Sequence, residues 1–136
     1  MLDLILCVDD DPITLMLCKM VIKKAEFAKE LITAQNGEEA LNYFDDLKLN
    51  NLGNEIQNYP QLIFLDLNMP VMGGWEFLDS FAKDDYRESF KDCKVIVLSS
   101  TIDPEDINKA KTYPMVLDFV SKPINKEMLD ELKKLW

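Results

Sequence analysis

Leu62-Ile63-Phe64-Leu65-Asp66 decides the architecture: four consecutive apolar residues of strand length close on a carboxylate. A strand without polar alternation has to be covered on both faces, which is the condition of a parallel sheet with helices on either side. Working outward, Lys94 to Leu98 repeats the pattern with Val95-Ile96-Val97-Leu98 and closes on Ser99-Ser100-Thr101. Leu4 to Val8 is another such run, ending in Asp9-Asp10-Asp11-Pro12, and Leu31 to Ala34 and Met115 to Val120 complete a set of five. Helical segments alternate with them: Pro12 to Ala25, Glu38 to Leu47, Gly74 to Lys83, Asp103 to Tyr113 and Asn125 to Trp136. Proline at a first turn and apolar residues at helical spacing mark these segments. Strict β-α alternation predicts an α/β fold, a doubly wound five-stranded parallel sheet in the order 2-1-3-4-5 with five helices and right-handed crossovers. The Asn-rich stretch Lys48 to Pro60 reads as one long loop, either an insertion or a binding loop.

Composition narrows the function. With 136 residues, 48% apolar and 29% charged, the expectation is a single globular domain over 1–136. Its net charge of -10 repels a phosphate backbone, so nucleic acid is not expected as a direct partner. The chain has no histidine, which excludes Ser-His-Asp and Cys-His catalysis and mixed Cys/His zinc sites. Cys7, Cys18 and Cys93 are odd in number and without a C-x-x-C pair, and read as reduced packing residues. No apolar run reaches the roughly 18 residues of a membrane span, and a cytoplasmic location is expected.

In an open parallel sheet, ligands bind beyond the carboxyl ends of the strands where strand order reverses, here between the first and third strands. The residues ending the strands are therefore the candidate site: Asp9 and Asp10, Asp66, Ser99 and Lys122. Asp11, before Pro12, reads instead as a helix cap. Carboxylates about 4 Å apart repel by about 4 kcal/mol per pair at an effective dielectric of about 20, so the cluster must take up protons or a cation. All-oxygen donors select a hard divalent ion, Mg²⁺ with Mn²⁺ as an alternative. Such a cluster with one lysine suits phosphoryl transfer, and a carboxylate can serve as nucleophile.

Four blocks in order carry a resemblance to the receiver domains of two-component response regulators. They are Ile5-Leu6-Cys7-Val8-Asp9-Asp10, Asp66-Leu67-Asn68-Met69-Pro70 with Gly74 following, Val97-Leu98-Ser99-Ser100, and Phe119-Val120-Ser121-Lys122-Pro123. The resemblance implies a flavodoxin-like fold in which Asp66 is the phospho-acceptor and Asp9, Asp10, Asp66 and the backbone carbonyl of Asn68 hold Mg²⁺. It implies that Ser99 hydrogen-bonds the phosphoryl group, that Lys122 pairs with it, and that the peptide before Pro123 is cis. Ser99 and Phe119 would then form the switch, while Asn68, Ser100 and Thr101 would tune the lifetime of the phosphorylated form. Ser100 departs from the small alanine or glycine usual in the family, and Asp118 is more acidic than usual.

The expected function is a stand-alone response regulator that takes a phosphoryl group from a histidine kinase or phosphotransfer protein. It would signal to a downstream protein, with no dedicated enzyme activity beyond Mg-dependent self-phosphorylation and autodephosphorylation. A homodimer or partner contact is expected on the face of the 103–113 helix, the fifth strand and the closing helix, with Ile107, Val116, Leu129, Leu132 and Trp136. Met69, Met72, Trp75 and Phe77 are expected in the core. Two rivals are a degenerate receiver that binds partners without phosphorylation and an aspartate-nucleophile phosphatase. The phosphatase would need D-x-D where Asp66-Leu67-Asn68 stands.

Overall fold

The computed structural model describes residues 1–135. Along the chain run β1 (Leu2–Val8), α1 (Pro12–Lys24), β2 (Ala28–Ala34), α2 (Gly37–Leu49), β3 (Leu62–Asp66) and α3 (Gly74–Phe81). They are followed by α4 (Asp84–Ser89), β4 (Lys94–Ser99), α5 (Pro104–Ala110), β5 (Val116–Ser121) and α6 (Lys126–Lys133). The strands form one parallel sheet in the order β2-β1-β3-β4-β5, as the apolar runs predict.

Strand periodicity of two explains why the central runs are apolar throughout. Leu6, Val8, Ile63, Leu65, Val95 and Val97 face one cluster, closed by Ala40, Leu41 and Phe44 of α2 and Phe77, Leu78 and Phe81 of α3. The intervening Ile5, Cys7, Leu62, Phe64, Ile96 and Leu98 face the other, closed by Leu15, Cys18 and Ile22 of α1 and by Leu129 and Leu132 of α6. Side-chain caps set the helix starts: Asp11 accepts from the Ile13 amide, Asn36 from Glu39 and Asn125 from Met128.

Six helices are described where five were expected. The segment from Gly74 breaks after Phe81, and α4 restarts at Asp84 with two aspartates in its first turn. Phe81 and Phe90 are both fully buried, yet nine residues of continuous helix would set them about 180° apart. The break lets both meet Phe44, whose ring lies 4.8 Å from each. β2 begins at Ala28, three residues before its apolar part, because Lys29 and Glu30 are exposed on an edge strand. The 50–61 stretch contains no helix or strand and lays Ile56 and Tyr59 against the core, with Tyr59 edge-on to Phe90 at 5.3 Å. Phe77 is buried as expected, whereas Met69, Met72 and Trp75 are half-buried against the core.

The expected partner face is corrected in part. Leu129 and Leu132 are buried under α1 and do not share a surface with the half-exposed Ile107 and Val116, which flank a groove beside Phe119. Trp136 lies outside the described residues.

Two backbone positions shape the loop after β3. A Cβ on Gly74 would lie 2.6 Å from the Asp66 carbonyl oxygen and 2.8 Å from Leu67 Cα, so α3 can start against the end of β3 only with glycine there. Val71 is 74% exposed and holds φ at 69°, a left-handed conformation that β-branched residues resist. Gly74→Ala is expected to lower stability by about 1–3 kcal/mol in urea titrations, since backbone has to move. Val71→Asn is expected to raise stability by about 1 kcal/mol in the same measurement, because asparagine tolerates that conformation.

Candidate functional site

The carboxyl ends of β1 and β3 lie side by side where the strand order reverses, with β4 and β5 beyond. Asp9 directly follows β1, and its amide donates to the Ala34 carbonyl at 3.0 Å, continuing the contact with β2. Asp66 is the last residue of β3. Both aspartates are buried, at 4% and 5% exposure, while Asp10 is exposed at the rim. Carboxylate oxygens of Asp9, Asp10 and Asp66 lie within 4.8 Å of one another. The predicted cluster is therefore brought together.

Lys122 reaches this cluster from the end of β5. Its ammonium donates to Asp9 Oδ2 at 2.6 Å and stands 3.1 Å from Asp66 Oδ1. The approach is set by the main chain: the Lys122 amide donates to the Ser99 carbonyl at 2.9 Å, and the Lys122–Pro123 peptide is cis, as the resemblance implied. Ser99 is buried at the end of β4, and its hydroxyl oxygen accepts from the Thr101 amide at 3.2 Å. Ser100 and Thr101 are exposed in the following loop. Asn68 is exposed after β3, and its backbone N–H favours the charged form of the Asp66 carboxyl. Phe119 is half-buried on β5 against the core.

Charge balance explains the protonation tendencies. Burial and the neighbouring Asp9 charge push the Asp66 carboxyl above its ordinary value, against the pull of Lys122 and the Asn68 amide. For Lys122, burial disfavours the ammonium, but the Asp9 hydrogen bond and the Asp66 charge outweigh it and hold the group above the usual lysine value. One ammonium against three carboxylates leaves the cluster negative. Three hard oxygen donors, with no nitrogen or sulfur ligand in the group, fit a divalent ion of the Mg²⁺ class.

The cap at Asp11 was expected from the sequence, but the hydrogen bond that ties it to Asp9 was not. The Asp11 amide donates to Asp9 Oδ1 at 2.9 Å, and the Ile13 amide donates to Asp11 Oδ1 at 3.0 Å. Two successive aspartate turns thus hold the approach to α1, and the D-x-D-P spacing at Asp9, Asp11 and Pro12 is the signal that marks them.

A family model described as the response regulator receiver domain matches residues 5–133. The chain belongs to that family. A response regulatory protein of Staphylococcus epidermidis, not otherwise characterised, is 31% identical to this receiver domain over 132 residues, covering 97% of the chain and 45% of that protein. Hybrid signal transduction histidine kinase C of Dictyostelium discoideum is 29% identical over 136 residues, covering 97% of the chain and 10% of the kinase. The receiver domain therefore spans less than half the length of either relative. A two-component response regulator from Cytophaga hutchinsonii superposes with a TM-score of 0.84 at 31% identity, covering 98% of this chain and 96% of that one. These likenesses confirm the flavodoxin-like order of strands and place the receiver domain in two-component signalling. Among the described residues, no helix is long and apolar enough to cross a membrane.

Replacing Lys122 by Met removes a half-buried cation with two carboxylate partners, and the expected loss is about 1.5–3 kcal/mol at pH 7 by urea titration. Because the folded-state value of Lys122 is raised, its contribution is fully present below 10.5 and is lost as pH rises through the folded value. The stability gap between wild type and Lys122→Met is expected to narrow only above that range.

Proposed function

We propose that this receiver domain takes a phosphoryl group onto Asp66 from a phosphohistidine donor and signals through protein contacts. One observation carries the reading: a single ammonium, Lys122, spans the buried Asp9 and Asp66 within a three-carboxylate cluster at the strand ends. An Asp66 oxygen attacks phosphorus, the P–N bond to the donor imidazole breaks as the P–O bond forms, and the imidazole leaves with the bonding pair and takes up a proton. Lys122 follows the developing negative charge on the phosphoryl oxygens. Ser99, whose hydroxyl oxygen accepts from Thr101, has its own hydrogen to donate to the phosphoryl group. Asp9, Asp10 and Asp66, with the Asn68 carbonyl, would hold Mg²⁺, which supplies neutralisation of charge on the phosphoryl oxygens.

The donor histidine lies outside these 136 residues, on a histidine kinase or phosphotransfer protein, because none of the 136 is histidine. That one relative is itself a histidine kinase supports the pairing. So does the surface of α1, where Ile13, Met16, Leu17 and Met20 are exposed at helical spacing beginning beside the acidic pair. Phosphorylation adds about -1.5 to -2 charges at Asp66, and the inward pull on Ser99 and Lys122 is the switch that Phe119 and the groove by Ile107 and Val116 read out. The exposed Asn68, Ser100 and Thr101 set access of the hydrolysing water and hence the lifetime of the adduct.

Incubation with Mg²⁺ and a small acyl phosphate is expected to add about 80 Da, one phosphoryl group, by intact mass. Asp66→Asn is expected to give no adduct, and Asp9→Asn is expected to slow its formation at least tenfold at limiting Mg²⁺. Failure to form the adduct at any Mg²⁺ concentration would overturn the reading in favour of a phosphorylation-independent module. Rapid turnover of phosphate esters would favour a phosphatase.

A further inference from the structure

Nothing in α2 itself asks for glycine at its first position. Gly37 directly follows the Asn36 cap, it is not among the left-handed residues of the chain, and alanine is the better helix former. What excludes a side chain there is Met72, in the loop between β3 and α3. A Cβ on Gly37 would lie 2.8 Å from Met72 Cγ, 3.0 Å from the Met72 carbonyl oxygen and 3.1 Å from its sulfur. The same close approach makes a hydrogen bond, in which the Gly37 amide donates to the Met72 carbonyl at 2.9 Å. That amide lies in the first turn of α2, where no acceptor within the helix is available.

The loop it meets is tied back on itself. The Gly74 amide donates to the Leu67 carbonyl at 3.0 Å, and the Met72 amide donates to the Pro70 carbonyl at 2.8 Å around the left-handed Val71, a strained three-residue γ-turn. Among the described residues, the Leu67, Pro70 and Met72 carbonyls accept hydrogen bonds from the chain, whereas the Asn68 carbonyl accepts none. We propose that Gly37 is a positioning residue for the carboxylate site: by admitting Met72 against α2 it sets the 67–74 loop and, with it, the Asn68 carbonyl. This rests on the reading above in which that carbonyl joins Asp9, Asp10 and Asp66 in holding Mg²⁺. A side chain at position 37 cannot be accommodated by turning Met72 alone, because the Met72 carbonyl is main chain and the loop has to give by a few tenths of an ångström. Magnesium demands near-octahedral oxygen donors within a narrow range of distance, so a shift of that size is felt in its affinity.

The test titrates the wild-type chain and Gly37→Ala with Mg²⁺ in the absence of any phosphodonor, following the amide resonances of Asp9, Asp10 and Asn68 by NMR. Gly37→Ala is expected to keep its helical circular dichroism while its Mg²⁺ dissociation constant rises about tenfold. With a small acyl phosphate, the Mg²⁺ concentration for half-maximal adduct formation is expected to rise in parallel, and the rate at saturating Mg²⁺ to stay near that of wild type. Met72→Ala, which keeps Gly37 and removes the side chain that meets it, is expected to weaken Mg²⁺ binding as well. In the double variant the loss is expected to fall short of the product of the single losses, because the two residues act through one contact. Wild-type Mg²⁺ affinity in Gly37→Ala overturns the proposal, as do losses that multiply independently or a rate that falls at saturating Mg²⁺ with the half-maximal concentration unaltered. A wild-type chain whose resonances do not respond to Mg²⁺ overturns the metal reading itself, and this inference with it.

Discussion

Repulsion among carboxylates at the end of the sheet is the constraint around which the rest of the molecule is arranged. Asp9 and Asp66 are buried on adjacent strands, and their oxygens share a space with Asp10 no wider than 4.8 Å. Left alone, such a group is costly in a low-dielectric interior. Lys122 offsets the cost from the far side of the site, and its position depends on the β4–β5 junction, where its amide is tied to Ser99. The compensation is incomplete. Burial and Asp9 still raise the Asp66 carboxyl, and the residual negative charge of the cluster fits a hard divalent cation; in the function proposed above, Lys122 follows the charge of a phosphoryl group at Asp66.

That arrangement is held by a sheet whose two faces are equally apolar. Alternate residues of β1, β3 and β4 feed two separate cores, one under α2 and α3 and one under α1 and α6, so the strand ends cannot shift without disturbing both. The backbone is closely constrained beside the carboxylate cluster. Gly74 lets α3 begin in contact with the Asp66 carbonyl, and the paired aspartate turns at Asp9 and Asp11 stiffen the start of α1. At the opposite end of the sheet, the 50–61 stretch and α4 are fastened by aromatic packing of Tyr59, Phe81 and Phe90 and by Tyr86, whose hydroxyl donates to Asp45 of α2. The long Asn-rich segment is thus anchored to the core at Ile56 and Tyr59.

The amino-acid sequence by itself determined the order of strands and helices and the membership of the acidic cluster. Uninterrupted runs such as Leu62–Leu65 admit only a doubly covered strand, and a parallel sheet places every strand-ending residue on one edge. The tertiary structure alone decided the break between α3 and α4, since burial of both Phe81 and Phe90 against Phe44 outweighs helix continuity. It likewise decided the inward direction of Leu129 and Leu132, because an amphipathic helix does not state which layer it covers. The left-handed Val71 and the reach of Lys122 to two aspartates belong to the same class. Each depends on distances between residues remote in sequence or on a loop closed from both ends, and periodicity along a chain carries no information about either.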